Sequence, residues 1–331
     1  MILDFNLYYI VPLTTTCRYN KRRKEILPAF SGICELVLDI SDVGRGRGGL
    51  NIGLLNRGRV MAFERWRGFI RAWRDYPLPD GTRVGERYKI ESLLGQGSYG
   101  LTYRCWDVRD GALLAVKQSR PSKKAVGREM LHKESNILRS MDHPNIPACR
   151  DFLEYKGSSW LVADYIEGNT LEELIFDGGI VYGERECLAT TLKLMELVAH
   201  VHSRGYVHLD LRIPNVILTG EEMYLIDFGL ARRIGEEETV LGDRKPKTGE
   251  MPGRMPPVIA SDLYDVGQLM LFMLYSGYQP EPGEAERNWR QELSLSPGML
   301  QLLSRLLGGQ EPYSDTALFV REAEALYKSL R

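Results

Sequence analysis

The most constraining feature of the sequence is a pair of polar loop motifs in its second half. The stretch from His208 to Asn215 follows a run with helical periodicity, and Asp227-Phe228-Gly229 begins twelve residues after Asn215. Asp210, Asn215 and Asp227 carry the oxygen ligands that Mg²⁺ prefers beside a nucleotide. Asp and Asn are also common turn residues, so each alone carries little information. Their order and spacing together favour a magnesium–nucleotide site.

A glycine-rich loop lies upstream of these motifs. The run Gly95-Gln96-Gly97-Ser98-Tyr99-Gly100 has no side chain at three positions, so its backbone amides can approach phosphate oxygens. In a dinucleotide-binding fold such a loop precedes a helix. Here Leu101 to Cys105 has the pattern of a strand, and Asp110-Gly111 then predicts a hairpin turn. The loop is therefore expected to join two antiparallel strands.

A lysine and a glutamate extend the pattern. Lys117 lies on the apolar return strand, 17 residues after the glycine-rich loop, where it can hold the α- and β-phosphates of a nucleotide. A buried lysine needs a carboxylate partner. Glu134 is the candidate because apolar residues follow it at helical spacing. These residues are Ile137, Leu138 and Met141.

Residues from about 85 to 331 resemble the catalytic domain of eukaryotic-like protein serine/threonine kinases of the bacterial type. The resemblance rests on the order of the glycine-rich loop, the lysine, the glutamate and the two loop motifs. It implies an α+β, two-lobed protein kinase-like fold. A small β-rich N-lobe is expected over about 85–165 and a larger helical C-lobe over about 166–331.

The resemblance also implies a role for each motif residue, with ATP and Mg²⁺ as cofactors. The glycine-rich loop would cover the ATP phosphates. The implied catalytic residues are Asp210, Lys117, Glu134 and Arg212, and the implied metal ligands are Asn215 and Asp227. Asp210 would accept the proton of the substrate hydroxyl, and Lys117, paired with Glu134, would hold the phosphates.

Adenine is placed between the lobes by the same resemblance. The hinge is expected at Asp164-Tyr165-Ile166-Glu167, where backbone groups of Asp164 and Ile166 would meet the base. Thr102 and Ala115 would lie above the adenine ring and Ile217 below it. Thr102 stands where the family usually has valine, which predicts a slightly more polar roof.

Three positions depart from the family pattern. Leu209 replaces an arginine that in many kinases meets a phosphate on the activation segment, so activity without phosphorylation of that segment is expected. Arg212 replaces the usual lysine and keeps positive charge near the γ-phosphate with a different shape. Met251 stands where a threonine is common, which leaves the choice of hydroxyl acceptor open.

Three further positions predict local packing. The closing Ala-Pro-Glu motif of the family is Pro256-Pro257-Val258 here, and Asp315 stands where the arginine partner of that glutamate would be. With both partners of the ion pair absent, Val258 is expected to pack in an apolar contact and Asp315 to face water. Ala163 directly precedes the hinge, and its small side chain predicts an open pocket behind adenine.

The beginning of the chain has a different character, since residues 1–75 hold 13 Lys and Arg against 7 Asp and Glu. Residues 1–60 show no sustained period and are expected to be a non-native or disordered segment, with Met61 as the true start. Residues 61–84 are predicted to form a basic amphipathic helix and linker. This helix suits either docking on the domain that follows or, over residues 61–76, contact with a membrane surface.

Composition narrows the class of protein. The 331 residues are 44% hydrophobic, which allows a sizeable core. No apolar run approaches the roughly 18 residues of a membrane helix. Five scattered cysteines without a C-x-x-C pair argue against a disulfide framework and against a cysteine-rich zinc site. A cytoplasmic protein without a nucleic-acid partner is expected.

Three functions remain open at this point. The first is an ATP-dependent protein serine/threonine kinase with an unknown protein substrate. The second is a small-molecule phosphotransferase with a kinase-like fold, although such enzymes usually lack the pattern seen from Pro252 to Gly267. The third is a nucleotide-binding pseudokinase scaffold, which would normally have lost Lys117, Asp210 or Asp227.

Overall fold

The computed structural model describes residues 76–97, 100–236, 255–279, 288–308 and 311–330. The expectations for residues 1–75 lie outside this range, as do those for Ser98, Tyr99 and Met251. Within the described ranges, no helix has both the length and the apolar character needed to span a membrane.

Six antiparallel strands form the first lobe, in the order β1-β2-β3-β4-β6-β5. They are β1 Arg83–Val84, β2 Tyr88–Gln96, β3 Gly100–Asp107, β4 Leu113–Ser119, β5 Cys149–Tyr155 and β6 Ser158–Asp164. Alternating side chains such as Tyr88, Tyr103 and Trp160 build an apolar cluster on the sheet. The segment before β1 packs on this lobe, because Pro77 is buried and the Leu78 N–H donates to Tyr103 Oη at 3.1 Å.

One long helix, α1 (Lys124–Met141), lies between β4 and β5 in the chain. Its buried residues Leu131, Ile137, Leu138 and Met141 recur at helical spacing and join the apolar cluster that continues into the second lobe. Glu134 lies on the same side of the helix and is 5% exposed. The amphipathic pattern of α1 therefore carries a carboxylate towards β4.

The second lobe is built around a buried helix. Its helices are α2 Leu171–Phe176, α3 Glu184–Ser203, α4 Ile259–Tyr275, α5 Trp289–Glu292, α6 Pro297–Leu306 and α7 Thr316–Ser329. Helix α4 buries Leu263, Val266, Met270 and Met273, and packs against α3 and α6. Helix α7 covers α3 and α6 in turn. This core supports the loops that carry the polar motifs.

Short strands hold those loops in place. β7 Asn169–Thr170, β9 Val216–Thr219 and β10 Glu222–Leu225 form a sheet in the order β10-β9-β7, and β8 Tyr206–Val207 pairs with β11 Arg232–Arg233. The loop from His208 to Asn215 is thus fixed between β8 and β9, and Asp227 between β10 and β11. The predicted α+β, two-lobed fold is confirmed.

The cysteines of the described residues are structural. Cys105 and Cys187 are fully buried, and burial raises the pKa of each thiol to about 12. Burial also raises the pKa of the half-buried Cys149. Because the thiolate is the reactive form, these side chains are poor nucleophiles at neutral pH.

The predicted apolar contact at Val258 is wrong. Val258 is 39% exposed because it occupies the N-cap position of α4, ahead of the first turn that packs in the lobe. Asp315 does face water, and its Oδ1 caps α7 by accepting the Leu318 N–H at 2.8 Å. An ion pair between Arg305 Nη1 and Glu322 Oε1, 2.6 Å apart, joins α6 and α7.

The exposure of Val258 predicts that a charged residue is tolerated there without a large loss of stability. Val258→Glu is expected to change the free energy of unfolding by less than about 0.5 kcal/mol, as exposed positions usually do. Urea unfolding of wild type and variant measures the change, with the buried substitution Val266→Glu as a destabilised reference. A loss above about 2 kcal/mol at Val258 would show that the side chain is packed after all.

Candidate active site

Three charged side chains from three different elements meet between the lobes. Lys117 Nζ on β4 lies 2.9 Å from both carboxylate oxygens of Glu134 on α1. It also lies 2.7 Å from Oδ1 of Asp227. The predicted Lys117–Glu134 pair is therefore present in the structure. The contact with Asp227 was not predicted, because residues 110 positions apart give no local signal of contact.

The charges of this triad stabilise one another. Burial opposes the charge of Lys117, but the carboxylates of Glu134 and Asp227 outweigh it and raise its pKa. Desolvation likewise opposes ionisation of Asp227, yet Lys117 lowers its pKa to about 2. Burial raises the pKa of Glu134, with Lys117 acting in the opposite direction. Lys117 and Asp227 therefore remain charged at neutral pH.

Asp210 is held by two neighbours on its own loop. Arg212 Nε lies 2.5 Å from Oδ1 of Asp210, and Arg212 Nη2 donates to Oδ2 at 2.9 Å. Asn215 Nδ2 donates to the same Oδ2 at 2.9 Å and to the Asp210 carbonyl at 2.8 Å. A carboxylate has about four lone-pair positions, so these three side-chain contacts leave one on Oδ1 for a substrate hydroxyl. The structure thus brings Asp210, Arg212 and Asn215 together.

The backbone before Asp210 is held by a buried carboxylate. Asp262 on α4 is fully buried and accepts the His208 N–H at 2.8 Å and the Leu209 N–H at 2.7 Å. It also lies 2.8 Å from His202 Nε2. Leu209 has a φ of 60°, a left-handed conformation that costs about 1–2 kcal/mol for a residue with a Cβ. Asp262 therefore fixes the strained turn that aims Asp210 into the cleft.

The glycine-rich loop leaves room for a ligand. A Cβ at Gly100 would lie 2.8 Å from the Gln118 carbonyl, so this position requires glycine for packing. Among the described residues, a Cβ at Gly95 would meet nothing within 4 Å, and one at Gly97 only the Gly100 carbonyl at 3.9 Å. Contacts with that part of the chain therefore do not explain Gly95 and Gly97, and the space beside them fits phosphate oxygens approaching the backbone.

The predicted walls of the adenine pocket share one face of the sheet. Thr102 pairs with Lys117 across β3 and β4, and Ala115 pairs with Ala163 across β4 and β6. Paired residues on neighbouring strands, and alternate residues of one strand, point to the same side of a sheet. Thr102, Ala115 and Ala163 therefore face the cleft, as Lys117 does. Ile217 lies on β9 in the second lobe and is 8% exposed.

The hinge leaves backbone groups available. The Asp164 side chain turns to β5, where its Oδ1 lies 2.5 Å from Arg150 Nε. The Ile166 N–H donates to no other residue in the described part of the chain. After the hinge, Gly168 has a φ of 157°, and a Cβ there would lie 2.5 Å from the Leu218 carbonyl of β9. The hinge therefore ends in direct main-chain contact with the second lobe.

One residue beside the loop was missed by the sequence interpretation. Leu94, directly before Gly95, is 43% exposed at the end of β2. Its position directly before the glycine-rich loop makes Leu94 a candidate contact for a bound nucleotide. The available signal was an apolar residue adjacent to the first glycine.

The donor set fits Mg²⁺ that is held partly by a nucleotide. Asp227 Oδ2 and Asn215 Oδ1 accept no hydrogen bond from the described residues. In that same part of the chain, no cluster of three His, Cys, Asp or Glu side chains could hold a metal ion alone. Mg²⁺ usually takes one or two protein ligands and completes its shell with phosphate oxygens and water.

The size of Ala163 leads to a testable result. Its side chain lies on the same face of the sheet as that of Ala115, so a larger residue would narrow the space that is predicted behind adenine. Ala163→Met is expected to weaken inhibition by a purine carrying a large aromatic substituent at least tenfold, because the ring and the methionine would overlap. Inhibition constants on both proteins measure this, with unsubstituted adenosine as the matched ligand. Equal potency on both would refute the idea.

Comparison with known proteins agrees with this geometry. The family model described as "Protein kinase domain" matches residues 88–312. The chain is 35% identical over 247 residues to a protein of Bacillus subtilis (strain 168) named "Probable serine/threonine-protein kinase YbdM", covering 73% of this chain and 90% of that protein.

More distant similarities point the same way. Smooth muscle myosin light chain kinase of Gallus gallus is 31% identical over 208 residues, which are 61% of this chain and 11% of that much longer protein. Among solved structures, a point mutant of the kinase domain of Mycobacterium tuberculosis PknI superposes with a TM-score of 0.58 at 19% identity. The similarity covers 76% of this chain and 99% of that domain, and it supports the fold.

Proposed function

Because this chain belongs to the protein kinase family, we propose that it transfers the γ-phosphate of Mg·ATP to a serine or threonine hydroxyl of a protein substrate. The relative from Bacillus subtilis carries a serine/threonine kinase name and supports this choice of acceptor. Mg²⁺ would be held by Asn215 and Asp227 and would neutralise charge on the phosphates.

One observation carries the proposal. The charged side chains that the kinase resemblance assigns to phosphoryl transfer lie in the cleft in contact with one another. Lys117 is bound by Glu134 and Asp227, and Asp210 is oriented by Arg212 and Asn215. Phosphoryl transfer depends on positioning and charge neutralisation more than on covalent chemistry. A scaffold that only binds nucleotide would not need Asp210 to be aimed by three contacts.

The side chains divide the work of the reaction. Asp210 accepts a hydrogen bond from the substrate hydroxyl through its remaining lone pair. It takes the proton as the oxygen attacks the γ-phosphorus and the bond from that phosphorus to the β–γ bridging oxygen breaks, which releases ADP. Lys117 holds the α- and β-phosphates. Its positive charge is stabilised by the carboxylates of Glu134 and Asp227. Arg212 is planar and forked, so it can hold Asp210 while presenting its exposed edge to a phosphate.

The proposal is tested by transfer of radiolabelled γ-phosphate from ATP to a generic basic protein. Wild type should label serine or threonine, and EDTA should abolish the labelling. Lys117→Ala should lose activity by at least a hundredfold, whereas Lys89→Ala, an exposed lysine on β2, should not. Wild type that binds ATP but labels nothing would contradict the proposal in favour of a scaffold. Labelling of small hydroxyl compounds alone would favour the small-molecule alternative.

The leucine at position 209 predicts activity without prior phosphorylation. Thr239 and Thr248 are the hydroxyl residues between Asp227 and Pro257, and both lie outside the described residues. Leu209 carries no charge to meet a phosphate on either of them. The Thr239→Ala/Thr248→Ala double variant is therefore expected to keep more than about a tenth of wild-type turnover. A larger loss in a variant with an unchanged melting temperature would contradict this expectation.

A further inference from the structure

A second carboxylate lies beneath the loop from His208 to Asn215, one helical turn after Asp262. Asp262 and Asp265 are three residues apart on α4, so their side chains share one face of the helix. Asp262 accepts the N–H groups of the two residues before Asp210, whereas Asp265 Oδ2 accepts the Leu211 N–H at 3.4 Å. The two carboxylates therefore contact the backbone on both sides of Asp210.

The hydrogen bonding of Asp265 leaves most of its carboxylate unused. The side chain is partly buried, and its bond to Leu211 is longer than the usual range of about 2.7–3.2 Å. Its other oxygen, Oδ1, accepts no hydrogen bond from the described residues. An asparagine oxygen could accept the same N–H, so the backbone contact alone does not require a charge at this position.

The charge of Asp265 is unfavourable for the fold. Burial raises its pKa to about 7, and the charges of Asp262 and Asp210 act in the same direction. The backbone hydrogen bond and the charge of Arg212 oppose them. On α3, His202 lies 2.8 Å from the carboxylate of Asp262. Because an aspartate in the unfolded chain ionises near pH ~4, Asp265 lowers the stability of the fold as the pH rises from there through about 7.

Arg212 is the cation that the charge of Asp265 can serve. The hydrogen bond to Asp210 is the main cause that raises the pKa of Arg212. The charges of Asp227 and Asp265 act in the same direction. Asp227 is already bound to Lys117 Nζ at 2.7 Å. Of these three carboxylates, Asp265 is therefore the one that neither takes the proton nor binds another cation of the described residues.

The reaction gives this counter-charge a task. When Asp210 takes the proton of the substrate hydroxyl, its carboxylate becomes neutral, and Arg212 loses the charge that it binds through two nitrogens. The Arg212 side chain is 63% exposed, so few packing contacts would then keep it in place. A carboxylate beneath the loop would still attract the guanidinium and keep it beside Asp210.

We propose that Asp265 is a positioning residue for phosphoryl transfer, whose negative charge holds Arg212 beside Asp210 while the proton moves. This inference rests on the proposed function and adds a residue to its machinery. Asp262 holds the backbone before Asp210, whereas Asp265 acts through its charge on a side chain. A carboxylate with this role lowers the stability of the fold and raises the rate of transfer, so the two effects should separate in a variant.

The test compares Asp265→Asn with wild type in γ-phosphate transfer to a generic basic protein. The variant removes the charge and keeps an oxygen for the Leu211 N–H. We expect kcat to fall about tenfold, with the KM for ATP within about threefold of wild type. The melting temperature at about pH 8 should rise, and the rise should be smaller at about pH 5.5, where Asp265 is mostly protonated in wild type. The matched control Asp80→Asn, at an exposed turn, should change none of these quantities.

A second comparison tests whether Asp265 acts through Arg212. In an Arg212→Gln background, Asp265→Asn should lower kcat by less than about twofold, because the cation that the carboxylate attracts is gone. A role in shape alone would give the same loss of kcat in both backgrounds.

Each outcome decides the matter. The expected loss of kcat, with a raised melting temperature and little further loss in the Arg212→Gln background, supports the proposal. An unchanged kcat in Asp265→Asn overturns it and leaves the proposed function intact. Equal losses in both backgrounds also overturn it. A variant that melts lower than wild type or fails to fold overturns it as well, because the carboxylate would then serve the fold. A wild type that transfers no phosphate overturns the proposed function, and the positioning role with it.

Discussion

Asp210→Asn is expected to lower turnover by about a thousandfold or more while ATP affinity stays within a few-fold of wild type. The two side chains have nearly the same shape, so the loop should keep its geometry. The amide cannot take the proton of the substrate hydroxyl. In addition, Asn215 and two nitrogens of Arg212 donate hydrogen bonds to the two oxygens of Asp210. The NH₂ group of an asparagine at position 210 would replace one of these oxygens and would therefore face another donor.

Single-turnover transfer and equilibrium binding of ATP separate the two effects of this substitution. Asp80→Asn, at an exposed turn in the first lobe, is the matched change and should leave both quantities unaltered. Turnover above about a tenth of wild type in Asp210→Asn would show that another group, or water, removes the proton.

Asp262→Ala is expected to lower the free energy of unfolding by about 3–5 kcal/mol and to reduce turnover with it. The carboxylate is fully buried and accepts from the backbones of His208 and Leu209 while lying within 2.8 Å of His202 Nε2. Without it, three buried polar groups lose a partner. Leu209, whose backbone is left-handed, also loses the contact that holds it. The side chain of the next residue, Asp210, is then no longer held in its orientation towards the cleft.

Asp262→Asn is the matched variant, because its amide keeps one acceptor oxygen for a backbone N–H. It should lose roughly half as much stability as the alanine variant. Urea unfolding and turnover are measured on both. An alanine variant that unfolds within about 1 kcal/mol of wild type would mean that water satisfies these donors and that Asp262 is not what holds the loop.

The sequence predicted those parts of the site whose signal is local. The glycine-rich loop, the hairpin after it and the amphipathic helix with Glu134 each follow from spacing within a short window. The lysine–glutamate pair could be predicted because a buried charge requires a partner.

Other features depend on how distant segments meet. The contact between Lys117 and Asp227 joins residues far apart in the chain, and no sequence pattern around either residue predicts it. Val258 was expected to be buried because both partners of the ion pair are absent, but it occupies the exposed N-cap position of α4. The exposure of Phe272 was also not predicted, since this residue has the same apolar character as its buried neighbours on α4 and only the packed structure shows which side of the helix is left open.

The close approach of Gly168 to β9 has a mechanical consequence for the cleft. Thr219 Oγ1 donates to the Glu167 carbonyl, so the chain from Glu167 onward is tied to the second lobe. At the other end of the hinge, Asp164 is tied to the first lobe by Arg150. Only Tyr165 and Ile166 lie between these ties, so a rotation of one lobe against the other would change the backbone angles of these two residues first. If adenine binds the Ile166 N–H, that same rotation loosens the base, and product nucleotide would be released by the movement that separates the lobes.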